Sequence, residues 1–181
     1  MRERSPQTLS EADRRLVASW AADCVERVIK LFEAEAPNDN RPRALVARTR
    51  SFARGELDTA EEIRRRFSGG VSASELKSPV AKAVARACGQ AVAVSHLGAH
   101  GLSAAACAVN AVRLAYPDEP DAADNEVRWQ LEHMSAEVRK ALQSIPPVDE
   151  ITSGVLGPGL NTSGHLGKIV RALQVGIYQT K

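Results

Sequence analysis

The chain has 181 residues, about one domain's worth, and its 24 Lys and Arg against 22 Asp and Glu give a formal net charge of +2. That balance gives neither nucleic acid nor an anionic membrane a default claim on it, and a composition 44% hydrophobic and 25% charged argues against a disordered chain. Aromatics make up only 4% of the residues, which disfavours strand-rich folds and stacking platforms for bases.

Alanine is abundant and arginine outnumbers lysine 18 to 6, and both are good helix formers. The predicted fold class is all-α: a single Ala-rich helical bundle of five or six helices over residues 1–145. The first helix is predicted to start near Thr8 or Ser10, where Ser10-Glu11-Ala12-Asp13 comes close to the spacing of a capping box. Leu16, Val17, Trp20, Ala21, Cys24, Val28, Leu31 and Phe32 then recur at helical spacing and define one core-facing stripe. Pro37-Asn38-Asp39-Asn40 ends it. A second helix opens at Arg41-Pro42-Arg43, with proline in the first turn, and runs to about Arg54 with Gly55 just beyond its end. A short charged helix, Asp58 to Phe67, precedes a loop around Gly69-Gly70.

The next two helices, Pro79 to Leu97 and Leu102 to Tyr116, are apolar over most of their circumference. Joined by Gly98-Ala99-His100-Gly101, they read as a central apolar hairpin. The last strong helix, Ala122 to Ser144, carries Val127, Leu131, Met134, Val138, Ala141 and Ile145 on one seam. Residues 146–181 hold six of the twelve glycines and read as a Gly/Pro-rich C-terminal extension. Leu166, Ile169, Val170, Leu173 and Ile177 mark a short amphipathic helix within it.

Cys24, Cys88 and Cys107 form no CxxC pair, so neither a disulfide scaffold nor a zinc knuckle is expected. The N-terminus lacks the apolar segment of a secretory signal, and no run is apolar enough to span a membrane. The expected location is the cytoplasm, with no membrane and no nucleic acid as partner. No GxSxG, P-loop, HExxH or EF-hand pattern occurs. No cofactor is expected, and whether the chain is an enzyme stays open.

His96 and His100 are four apart, which puts both imidazoles on one helical face. A metal would need further ligands, and Lys82 and Arg86 on nearby wheel angles are poor company for a cation. No metal is expected, and these two histidines are the weak candidates for one. They read instead as the polar stripe of a buried hairpin, or as a ligand-orienting or proton-moving pair. Arg41, Arg43, Arg48, Arg50, Arg54, Arg64, Arg65 and Arg66 crowd one stretch, but Glu56, Asp58, Glu61 and Glu62 interleave with them. A salt-bridged, solvated face is expected there, not a phosphate-binding surface. Trp129 lies opposite the apolar seam of its helix. It is either covered by another element or marks a binding patch, where tryptophan is enriched. Asp118, Glu119, Asp121, Asp124 and Glu126 read as a charged surface loop and helix start.

Trp20-Ala21-Ala22-Asp23-Cys24, Leu31-Phe32-Glu33, Asn38-Asp39-Asn40-Arg41-Pro42-Arg43-Ala44-Leu45 and Arg50-Ser51-Phe52-Ala53-Arg54-Gly55-Glu56 resemble an Ala-rich helical family of bacteria. The run Ala83 to Ala111, with its paired histidines, and Glu126-Val127-Arg128-Trp129-Gln130 continue the similarity, which covers roughly residues 15 to 142. The group is the helical immunity protein family of bacterial polymorphic toxin systems. The resemblance implies a cytoplasmic protein that binds and neutralises a cognate toxin. The charged segment Glu61 to Arg66 and the extension from Pro146 to Lys181 depart from the group's pattern. They leave room for recruitment to another task, such as a small-molecule step in a biosynthetic pathway.

Two functions of different class follow. The first is an immunity-type binding protein without catalysis. The second is a small helical enzyme or ligand-binding protein, with a site where Asp23, Arg43, Arg50, His96, His100 and Trp129 converge. The candidate ligand- or partner-binding residues are Asp23, Arg41, Arg43, Arg50, Glu56, His96, His100 and Trp129. The expected partner is a cognate toxin protein or a small-molecule ligand, and apolar faces on the last helices are compatible with a homodimer.

Overall fold

A computed structural model describes residues 5–179 and is all-helical, with nine α-helices and no strand among those residues. The first predicted helix divides into α1 (Glu11–Glu26) and α2 (Ile29–Glu33). Ser10 is the N-cap of α1, accepting from the Asp13 amide at 3.0 Å. The division comes at Arg27-Val28, where the chain tightens into the shorter turn closed by Val28 N–H to the Val25 carbonyl at 3.1 Å. That turn carries both Ile29 and Phe32 into the core. Leu16, placed on the core stripe by its spacing, is instead 39% exposed.

α3 (Arg41–Ala53) ends where Gly55 adopts a φ of +78°. The Glu56 and Gly55 amides bond back to the carbonyls of Ser51 and Phe52, each at 3.0 Å. This paired closure needs a left-handed residue, which glycine supplies without steric cost. Asp58 caps α4 (Thr59–Arg64) and Ser78 caps α5 (Pro79–Ala93), in each case by accepting the amide of the third residue onward. α5 and α6 (His100–Ala115) are buried on nearly every side and pack on each other more extensively than any other pair. Their alanines allow that closeness.

The predicted helix Ala122 to Ser144 also divides, into α7 (Ala122–Glu132) and α8 (Ala136–Gln143). Ser135 takes an extended conformation and caps α8 by accepting from Val138 N–H at 3.2 Å. The break turns the two pieces to different neighbours: α7 packs on α6, α8 on α1, and both on α9. The buried residues of α7 are Glu126 and Gln130, while the predicted seam residues Val127 and Leu131 are only partly buried.

α9 (Gly164–Tyr178) buries Ile169, Val170, Leu173 and Ile177 against the bundle. Its C-terminal carbonyls are met by Arg139, which donates to the Gly176 oxygen at 2.7 Å, and by Gln143, which donates to that of Ile177 at 2.9 Å. The preceding loop is pinned from the other end of the chain. Gln7, 3% exposed, donates to the Ser153 carbonyl at 2.7 Å and accepts from Leu156 N–H at 3.1 Å. No helix of the described residues is long and apolar enough to cross a membrane.

Candidate functional site

The candidate residues fall into three separate neighbourhoods. On the α3 side, arginines meet carboxylates of adjoining segments. Arg41 forks onto Asp39 and Glu75, with closest approaches of 2.7 and 2.9 Å. Arg43 pairs with Glu33 at 2.5 Å, and Arg54 with Glu56 at 2.6 Å. Hydrogen bonds from these guanidinium groups hold Asp39, Glu75 and Glu33 below the usual carboxylate range and bring Glu56 down to about 2. Arg50 bridges Asp23, at 2.9 Å, and Glu26. The arginine-rich stretch is thus a salt-bridged face over most of its length.

The second neighbourhood surrounds Trp129. Its ring stacks on His133, with centroids 4.0 Å apart and planes 18° from parallel, and the Arg27 guanidinium lies 3.8 Å over it. Arg27 is aimed by a two-pronged bond to Glu126 at 2.9–3.1 Å. Glu126, expected on the surface, is 5% exposed because α7 turns it toward α1. Trp129 is neither in the core nor loose, but half-buried within a layered stack. Asp23, Glu26, Arg27, Trp129 and His133 line a shallow hollow of about 400 Å³ there.

The third neighbourhood is a cleft of about 700 Å³ along α5. Its walls come from the segment after α4, from α5 and α6, and from the start of α9. His100 lines it, with Nδ1 2.7 Å from the Gln90 carboxamide oxygen. Facing that oxygen, Nδ1 carries the hydrogen, which leaves Nε2 as an acceptor. Burial first, then the nearby His96 and Arg66 charges, push the His100 imidazole down to about 4. Burial also lowers His96, which does not line the cleft. Cys107 borders it too, its thiol pushed up to about 11 by burial. No three His, Cys, Asp or Glu side chains among the described residues gather in a way that could hold a metal ion.

Asp23, Arg43, Arg50, His96, His100 and Trp129 therefore share no single hollow. Asp23 meets Arg50 and borders the Trp129 hollow, whereas His100 belongs to the α5 cleft. The physical reason is local neutralisation. Carboxylates of α1 and α2 hold Arg43 and Arg50 where they stand.

Sequence reasoning missed Arg27 beside Trp129, and Arg66 and Phe67 beside His100. One signal was legible. Lys82 and Arg86 stand four apart on α5, and that positive stripe, poor company for a metal ion, lines the cleft together with Gln90.

A family described as "Imm-5 like putative immunity protein" matches residues 7–137. No curated protein and no solved structure matches the chain.

Proposed function

The chain belongs to this Imm-5 like immunity protein family, and from that premise we propose that it neutralises a cognate toxin by direct protein binding. The observation that supports a contact on this face is the Arg27–Trp129–His133 stack. Tryptophan and arginine dominate binding hot spots. Here both are held in place before any partner arrives, so little side-chain entropy remains to be lost on binding. Asp23 and Glu26 border the same hollow and favour a basic segment of the toxin. In this reading the protein works in the cytoplasm, and residues 146–179 brace the bundle.

The test is co-expression with a toxin domain encoded beside the protein in its host. Growth is restored, and a stable complex elutes on size exclusion. Trp129→Ala weakens that complex by about tenfold or more, with the melting temperature of the free protein little changed. Restored growth without a complex sinks direct binding. A complex indifferent to Trp129→Ala sinks the assigned face.

A further inference from the structure

We propose that the α5 cleft is a binding site for a small amphipathic carboxylate, an apolar body ending in one negative charge. The proposal stands apart from toxin binding and uses a different face of the molecule. A volume of about 700 Å³ lies within the range of small-molecule sites. The floor is apolar, built from Ala83, Val92 and Ala93 among others. Phe67 and Leu160 stand at its edge, large apolar groups 83% and 64% exposed.

Charge selects the other half of the ligand. Arg66, Lys82 and Arg86 line the cleft, and among the described residues no Asp or Glu does. Elsewhere Arg41, Arg43, Arg48, Arg50 and Arg54 each meet a carboxylate. Two of the cleft cations, Arg86 and Arg66, are held by neutral partners. Arg86 Nη2 donates to the Asn161 carboxamide oxygen at 2.8 Å. Arg66 Nη1 donates to the Ile63 carbonyl at 2.6 Å, and its guanidinium lies 4.6 Å over the Phe67 ring. These groups are oriented without being neutralised, which is what a preorganised anion site requires.

Gly89 adds an independent observation. It lies inside α5 and lines the cleft, and a Cβ added there would meet nothing within 4 Å. The space above the helix is therefore empty, and any side chain at this position would enter it. An extended acidic peptide fits less well. Its backbone would bring polar groups over an apolar floor whose own helix amides and carbonyls are already paired.

The experiment is isothermal titration of the full chain with dodecanoate, below its micellar concentration, against dodecanol and acetate. Dodecanoate binds one to one, and the two controls bind at least about tenfold more weakly, since each lacks one half of the recognition. Arg86→Gln weakens dodecanoate by about tenfold. Gly89→Leu, which removes no bond, blocks it to a similar or greater degree with the helical signal and melting temperature retained. Arg43→Gln, paired elsewhere with Glu33, changes nothing. Dodecanol binding as tightly as dodecanoate overturns the proposal, as does wild-type affinity in both cleft variants or no binding at all. An oligoglutamate peptide that outcompetes dodecanoate also overturns it. Toxin protection by Gly89→Leu is expected to stay intact, so failure here leaves the immunity reading standing.

Discussion

The Trp20 indole donates its N–H to the main-chain carbonyl of Gln130 at 2.9 Å, tying α1 to α7 across 110 residues of chain. Both partners are buried, at 2% and 0% exposure. The bond therefore sits where an unmade one costs most. Trp20→Phe leaves that carbonyl without its partner and opens space beside it. The expected loss is about 2–4 kcal/mol, read from urea unfolding as a lower midpoint at unchanged slope.

Arg27, at the end of α1, and Glu126 of α7 form a second cross-link. Arg27→Ala strands a carboxylate that is almost fully enclosed and removes the cover over Trp129. A cost of about 2–4 kcal/mol is expected. The double variant Arg27→Ala/Glu126→Gln regains a good part of it, because no charge is then left buried. A double-mutant cycle by chemical denaturation checks this.

His100 makes stability depend on pH. Its folded pKa of about 4 lies below the ordinary 6.5, so in this window the unfolded chain binds the proton and the folded one does not. The contribution is whole above the unfolded value and falls as pH drops from about 6.5 toward 4. A loss of order 1–3 kcal/mol accumulates across that window, and His100→Gln flattens it. Melting temperatures at pH 7, 6 and 5 are enough to decide; an equal slope in both proteins rules the assignment out.

Glycine-to-alanine substitutions should act with opposite sign at two places. At Gly89 a methyl meets open space inside a helix, so Gly89→Ala gains about 0.5–1 kcal/mol. At Gly101 the new Cβ would run into the Val17 side chain of α1. Since α1 and α6 are packed there, Gly101→Ala costs about 1–3 kcal/mol. Thermal unfolding of the two variants side by side reads both signs.

The sequence determined the all-helical class and several helix ends. Ser10 and Gly55 act on their own turns, and their chemistry needs no distant partner. The alanine-rich helices α5 and α6 were legible as buried because nearly every face of each is apolar. Ser135, followed by an acid in the next turn, was a start signal of the same local kind and divides the predicted last helix. The spacing placed Val127 and Leu131 inward, yet the packing buries Glu126 and Gln130. Only the tertiary structure decided that, because α1 and α6 supply a guanidinium and a main-chain carbonyl for those polar groups to meet. The same holds for the cleft. A helical wheel shows that Lys82 and Arg86 share a side, but only packing brings Phe67 and Leu160, far apart in the chain, to the same opening.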